Sequence, residues 1–487
     1  MGNAQQTAIQ VNNYIGGRWV ASESGEIIQR ENPAKTSEIV AVVTNATKEE
    51  TIQAVESAHE AFQTWSKVPA VKRAEKIYNV IDVLERRRQE VAELLTREMG
   101  KPIKEAHGEI TKAINEARYS AGEALRLTGE TLPSERAGIH VRTIRVPKGV
   151  IAAISPWNFP LVTPLRKIVP ALAAGNTVVF KPATVTAAMG AKIIELFEEA
   201  GLPAGVLNLI VGSGRSVGNT LVSHPLVKGV TFTGSTAVGS GIYKLAAERL
   251  IEVQLEMGGK NAGIIYDYPD VNGAVDQILA AAFAASGQRC TSISRIVVQR
   301  SRVEEVTRAL TEKLAQYVIG DGMSDKVNMG PLVSQDQLDT VEQYVRIGLE
   351  EGAVLAAGGK RPSGVNGGYY YEPTVFTNAA PDMRIAREEI FGPVLVVIPV
   401  DSFDEAVQVA NNSEYGLAVS CFTHHMPYAE QAVEEIETGM IHINNGTISE
   451  SHVPFGGLKH SAVGPYSIGS TGKDFLTALK VVYSSSK

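Results

Sequence analysis

The chain runs to 487 residues, 44% apolar and 20% charged, with a formal net charge of −7. That length exceeds what one hydrophobic core usually spans, so two or more domains are expected. The acidic balance weighs against nucleic acid, whose phosphates require clustered Lys and Arg, and no apolar run approaches the roughly 20 residues of a membrane helix, so a soluble, cytoplasmic protein without nucleic-acid or membrane partners is expected.

Residues 1–10 carry no positive stretch ahead of an apolar one, so no export signal is expected, and Gln6 stands where a myristoylation motif wants Ser or Thr. Three helices are predicted between about Thr47 and Gly129. The first opens at TKEE, where Thr47 and Glu50 can form a capping box, with Ile52, Val55, Phe62 and Trp65 along one face. The second runs from Val71 to a stop at Gly100 and Pro102, and the third ends near residues 127–129. The basic run at 86–89 sits among Glu85, Glu90 and Glu93 and reads as a solvated helix face. Residues 137–149, AGIHVRTIRVPKG, are rich in β-branched side chains and read as a strand pair projecting from the body. From Val150 short apolar strands (VIAAI, NTVVFK, VLNLIVG, VTFTGS, IEVQLE) alternate with helices, one of them over about 186–200. That alternation predicts a parallel sheet covered by helices, with ligands at the carboxyl ends of its strands. A second α/β stretch begins near Ala262, carries Cys290 beyond an Ala-rich helix and continues to about Pro454. The closing ALKVVYSSSK reads as an edge strand suited to a subunit contact.

Two cysteines, Cys290 and Cys421, offer neither a disulfide framework nor a metal-ligand spacing, which suits a reducing compartment and no metal site. Cys421 lies among the apolar residues of GLAVSCF and reads as packing. A cysteine is more often a buried small hydrophobe than a nucleophile, but Cys290 keeps the polar company of Gln288, Arg289, Thr291 and Ser292, and a neighbouring guanidinium favours the reactive thiolate. No histidine stands in a local signature that would pair with it. Glu256 closes IEVQLE ahead of Gly258 and Gly259 and can serve as a general base, with a plain surface glutamate as the alternative reading. VTFTGSTAVG reads as strand, tight turn and helix, so the amides after Gly234 can receive a pyrophosphate, and VGSGRSVG adds Gly212, Gly214 and Gly218. Neither stretch is the strict dinucleotide fingerprint, and a structural glycine turn accounts for either equally well.

SPWNFP (155–160), KPA (181–183), FTGS (232–235), LEMGGKN (255–261), GQRC (287–290), EEIFGP (388–393) and PFGGLK (454–459) stand in the order and spacing of the aldehyde dehydrogenase superfamily. The chain resembles that family from NNYIGGRWV near its N-terminus to its last strand. The resemblance implies NAD(P)-dependent aldehyde oxidation. Cys290 would be the nucleophile, Asn158 with the Cys290 amide the oxyanion hole, and Glu256 the base that activates the water hydrolysing a thioester. Retention of an acid at Glu256 argues for hydrolysis over transfer to coenzyme A, and intact Cys290, Glu256 and Asn158 argue against a structural protein that has lost turnover. For the cofactor, the resemblance puts Lys181 on the adenine ribose, Glu389 on the nicotinamide ribose and Phe391 beside the nicotinamide. Ser235 and Trp157 match residues near the phosphates and the bound cofactor, beside Gly214, Gly218 and Gly234. Thr184 stands where NAD-preferring relatives carry an acid; Thr can donate to a 2′-phosphate, so the cofactor is NADP or NAD, with NADP used well.

For the substrate, Arg166 matches a tunnel position that is Arg in relatives acting on carboxylated semialdehydes, and Ser449 resembles a second contact for the carboxylate. The run to KHSAVGPYS is most like the α-ketoglutaric semialdehyde branch. Ala284 stands where succinic semialdehyde enzymes often carry a second Arg, and Ala462 replaces a commoner Gly. Arg289 matches the phosphate-binding Arg of non-phosphorylating glyceraldehyde-3-phosphate dehydrogenases, which keeps that activity, succinic semialdehyde oxidation and general aldehyde oxidation as alternatives. The implied fold is α/β. It comprises a Rossmann-type coenzyme domain (1–135 and 150–254), an α/β catalytic domain (255–465) and a small β oligomerisation element (136–149 and 466–487), in a homodimer or homotetramer.

Overall fold

A computed structural model describes residues 8–485; the export-signal reading of the first residues, including Gln6, falls largely outside them. Strands between Ile9 and Thr44 come first, and four helices, not three, then fill the stretch to Glu123: α1 (Lys48–Trp65), α2 (Ala70–Arg86), α3 (Arg88–Met99) and α4 (Ile103–Glu123). The Thr47–Glu50 capping box forms at the head of α1. The predicted second helix is broken at Arg87, which leaves helical geometry with φ −97° and ψ 13°. Leu84 and Val91, buried on either side, keep a seven-residue spacing, so the apolar pattern hides the break. The charged run there is fixed by ion pairs, Arg86 and Arg87 to Glu199 and Arg88 to Glu85. Helix α3 ends at Gly100 in a left-handed cap, and α4 gives way after Glu123 to a single tight turn.

Among the described residues, an eight-stranded sheet forms the first layer. Its central strands are parallel, in the spatial order Glu252–Glu256, Val227–Thr233, Val150–Ile154, Thr177–Lys181 and Leu207–Leu209. Val150–Ile154 and Thr177–Lys181 are buried throughout, as expected for a parallel sheet covered on both faces. The chain then reaches a seven-stranded sheet, almost wholly parallel, around Asn261–Ile265, Ile293–Gln299 and Ala418–Phe422. Only residues 257–260 separate the last of those five parallel strands, Glu252–Glu256, from the first strand of the other sheet, Asn261–Ile265. That short crossing brings the carboxyl end of the first sheet against the amino end of the second, where the cleft opens. Cys421 is fully buried in its strand, in keeping with packing.

The stretch 137–149 is not a strand pair. It forms one long strand, Ile139–Pro147, whose partner on one side is the C-terminal strand Thr477–Ser485 in antiparallel register and on the other the short Thr131–Leu132. The main partner lies more than 300 residues away in sequence, so no local turn signal reveals it. The C-terminal strand lies at the edge of this sheet, as expected, and carries the exposed side chains Leu479, Val481 and Tyr483.

Candidate active site

The helix Val271–Phe283 delivers the chain to an unusual turn. Ala285, Ser286 and Gly287 take positive φ values of 50°, 58° and 74°. Left-handed geometry costs an ordinary residue roughly 1–2 kcal/mol, so the turn needs external support. The Ala285 amide donates to the Glu105 carboxylate at 2.8 Å, Ser286 Oγ donates to the Gly330 carbonyl at 2.8 Å, and the Gln288 side chain accepts from the Val333 amide at 2.9 Å. A Cβ on Gly287 would stand 2.3 Å from the Gly392 carbonyl oxygen, so only glycine fits. Thus braced, the turn presents Cys290 half-buried at a cavity of about 280 Å³, with its carbonyl accepting from Asn261 Nδ2 at 2.7 Å.

Asn158 lines the same cavity. Its Nδ2 donates to the Gln288 carbonyl at 2.9 Å, and its own backbone carbonyl accepts from Lys101 Nζ at 2.9 Å. Lys101 is buried in an ion pair with Glu109, whose carboxylate also accepts from the Leu161 and Val162 amides where the helix α5 (Val162–Ala173) begins. The Gln288 bond uses one Nδ2 hydrogen of Asn158 and leaves a second for an oxyanion at the cavity that Cys290 also lines.

Burial pushes the Cys290 thiol up to about 11, against the opposing pull of Arg166 and Arg289. The expectation that Arg289 favours the thiolate is therefore corrected in its outcome: the guanidinium acts in the expected direction, but desolvation outweighs it. Glu256 is buried, not a surface residue, and it does not line the cavity, although the next residue, Met257, does. Its Oε1 lies 3.4 Å from Ser467 Oγ, and its Oε2 has no hydrogen-bond partner among the described residues. Burial raises this carboxyl to about 7, with Lys167 and Arg166 opposing. Lys167, equally buried, donates to Thr231 Oγ1 at 3.1 Å, and burial holds its pKa well below the usual lysine range.

Arg166, on α5, lines the cavity and is stacked over the Phe455 ring, 4.7 Å from its centroid. It is not a free fork. Its Nε and one terminal nitrogen donate to the two oxygens of buried Glu116 at 3.0 and 2.7 Å. The guanidinium thus offers a substrate its outer edge. Arg289 and Ser449 line the cavity too, and Arg289 Nε is buried without a partner among the described residues. Lys112 joins them: its Nζ donates to the Ser449 carbonyl at 3.0 Å and to the Ser449 hydroxyl.

Of the residues expected to hold the cofactor, Trp157, Gly234, Ser235, Glu389 and Phe391 line the cavity, with the Trp157 and Phe391 rings edge to face at 5.4 Å. Glu389 accepts from the Gly259 amide at 2.9 Å, and a Cβ on Gly258 would stand 2.3 Å from its other oxygen, so glycine is required there as well. Ser235 makes no capping bond at the head of helix Thr236–Glu248, which leaves the first amides of that helix available to a phosphate. Lys181, Thr184, Gly214 and Gly218 do not line this cavity. They follow the carboxyl ends of the neighbouring parallel strands Thr177–Lys181 and Leu207–Leu209. Among the described residues the buried Lys181 Nζ donates only to the Pro182 carbonyl, 3.3 Å away, and burial lowers its pKa to about 8. A cofactor hydroxyl suits such a donor. Thr184 Oγ1 donates to the Gly212 carbonyl at 3.2 Å, so its hydroxyl must turn to serve a 2′-phosphate.

Sequence reasoning missed Glu116, Lys112, Lys101 and Lys167. For the first two a faint signal exists: they stand four apart on α4, which puts an anion and a cation on one helix face.

The aldehyde dehydrogenase family profile matches residues 19–482. The chain is 44% identical over 474 residues to the α-ketoglutaric semialdehyde dehydrogenase of Bacillus subtilis (strain 168), covering 97% of each protein. It is 39% identical over 477 residues to the α-ketoglutarate semialdehyde dehydrogenase of Haloferax volcanii, covering 97% of this chain and 98% of that one. The NAD⁺ complex of an aldehyde dehydrogenase from Bacillus cereus superposes with a TM-score of 0.94 at 37% identity, covering 98% of this chain and 97% of that one.

Proposed function

Starting from the premise that this chain belongs to the aldehyde dehydrogenase family and is an oxidoreductase acting on aldehydes with NAD(P), we propose that its substrate is a carboxylated semialdehyde, α-ketoglutaric semialdehyde, and its product 2-oxoglutarate. The observation that carries the reading is Arg166, whose outer edge lines the cavity of Cys290 while Glu116 fixes its inner edge. An aldehyde with a carboxylate at the far end of a short chain meets both at once. The relatives named above, one from Bacillus subtilis and one from Haloferax volcanii, support it.

In this reading Cys290 gives its proton to solvent water, the thiolate sulfur adds to the aldehyde carbon as the carbonyl π bond opens, and the Cys290 amide and Asn158 Nδ2 hold the alkoxide that forms. The bound nicotinamide supplies the hydride acceptor. The thioester left on Cys290 is hydrolysed by water that gives its proton to Glu256, whose side chain turns from Ser467 towards the cavity. Lys181, Thr184, Gly214, Gly218, Gly234 and Ser235 hold the adenosine and pyrophosphate, while Glu389, Phe391 and Trp157 hold the nicotinamide end. Thr184 in place of an acid supports good use of NADP. Within the described residues, those up to 135 and 150–254 form the coenzyme domain, 255–465 the catalytic domain, and the long strand with its C-terminal partner joins subunits of a cytoplasmic homodimer or homotetramer.

The test is kcat/KM with NADP for α-ketoglutaric semialdehyde against pentanal, in wild type and Arg166→Ala. A preference for the acid of about a hundredfold, about 2.7 kcal/mol, that the variant loses supports the reading; no preference in wild type overturns it. Arg289, with its unpartnered Nε, favours a second reading on a phosphorylated aldehyde, and glyceraldehyde 3-phosphate belongs in the same series.

A further inference from the structure

The acid end of the cavity holds more positive charge than one carboxylate substrate accounts for. Lys112 and Glu116 lie one turn apart on α4, and Glu116 grips Arg166 from α5, so the Lys112 ammonium and the Arg166 guanidinium flank each other where both line the cavity. Glu116 already balances Arg166. Lys112 has no such bonded partner: its acceptors, the carbonyl and hydroxyl of Ser449, are neutral, and among the described residues no carboxylate is in ion-pair contact with it, Glu116 acting on it only through space. An ammonium has three donors, two of them used on Ser449, and one remains. Ser449 belongs to the irregular segment after strand Met440–Ile443, so this contact ties α4 across the cleft to the second sheet.

We propose that Lys112 is a specificity residue that donates to the 2-oxo oxygen of the substrate while Arg166 takes the adjoining carboxylate, so that the enzyme selects 2-oxo-acid aldehydes over simple carboxylated ones. The inference rests on the semialdehyde reading above and names the part of the acid head that is read. In a 2-oxo acid the keto and carboxylate carbons are directly bonded, so their oxygens meet two donors held side by side. A carbonyl oxygen is a neutral acceptor and suits an ammonium crowded by another cation. Burial foremost, and then Arg166, lower the Lys112 pKa to about 8, with Glu116 opposing. An aldehyde acid without the keto group leaves the third N–H without an acceptor in a half-buried site, which is how a polar group rejects an analogue.

The decisive pair of substrates is 2,5-dioxopentanoate and 5-oxopentanoate, which share length and carboxylate and differ in the keto oxygen. Wild type is expected to favour the first in kcat/KM by about tenfold or more. Lys112→Met, which keeps the stem and removes the donors, is expected to bring that ratio close to one. Ser449→Ala, which removes one of the two acceptors that hold Lys112, is expected to lower it part of the way, and serves should the first variant misfold. On unmodified protein, 2-oxoglutarate is expected to compete with the aldehyde about tenfold more tightly than glutarate. Equal loss on both substrates in Lys112→Met, an unchanged ratio, or equal inhibition by the two diacids overturns the assignment. If the acids beat pentanal yet the ratio ignores Lys112, the Lys112 assignment alone falls. If pentanal matches both acids in wild type, the semialdehyde reading falls and this inference with it.

Discussion

Glu116 holds Arg166 by two hydrogen bonds of 3.0 and 2.7 Å, with the two side chains only 2% and 10% exposed. The guanidinium is thereby paired and aimed before any substrate arrives. Discrimination against uncharged aldehydes then comes from what the outer edge gains with a carboxylate, and less from a buried charge left alone. Removing one partner of a buried ion pair typically costs 3–5 kcal/mol. Glu116→Gln should therefore lower Tm by several degrees and reduce kcat/KM for the acid substrate about tenfold or more, while pentanal changes less. Thermal melts and initial rates check this, and an unchanged preference would show that Glu116 does not orient Arg166.

Cys290 rests as a thiol in the free protein, since burial lifts its pKa to about 11. The thiolate fraction grows as pH rises towards that value, so alkylation by iodoacetamide should be slow at neutral pH and accelerate about tenfold per pH unit. Arg289→Met removes one of the opposing cations and should slow alkylation further at fixed pH. Fast labelling at pH 7 would contradict the burial argument.

Glu256 acts as a base only when ionised. Its carboxyl is raised to about 7 by burial, with Lys167, Arg166 and Ser467 facing it. Thioester hydrolysis, followed after a burst of reduced cofactor so that Cys290 is already acylated, should rise with pH through about 7 and then level. Glu256→Gln should retain the burst, lose that pH limb and turn over about a hundredfold or more slowly. A burst that disappears would assign Glu256 to acylation instead.

In the proposed cofactor site, Thr184→Glu would place a carboxylate where a 2′-phosphate is expected. With NADP, kcat/KM should fall about a hundredfold through like-charge repulsion, while NAD is held or improved by the new acceptor for the ribose hydroxyls. Equal effects on both cofactors would remove Thr184 from the adenosine site.

The exposed Leu479, Val481 and Tyr483 stand on the edge strand Thr477–Ser485. Replacing Leu479 and Val481 by Asp should shift the protein to a smaller species in size-exclusion chromatography with the fold intact by circular dichroism. An unchanged elution volume would remove this strand from the proposed subunit contact.

The alternation of short apolar strands and helices from Val150 onward was legible because period and punctuation are local properties, and the same holds for the Thr47–Glu50 cap. So was the identity of the chemical groups. Cys290 in polar company, Glu256 at a strand end and the turn before Ser235 are each written in a few consecutive residues. What tertiary structure alone decided was what each group faces. The break at Arg87 is hidden by an unbroken apolar spacing, and the partner of Ile139–Pro147 comes from the far end of the chain. Burial turns an arginine-flanked cysteine into a resting thiol and leaves Glu256 out of the lining of the cavity it is expected to serve. The pairing of Arg166 with Glu116 and the approach of Lys112 to Ser449 join residues 50 and 337 positions apart. Desolvation and charge pairing depend on distances through space, and a sequence records only distances along the chain.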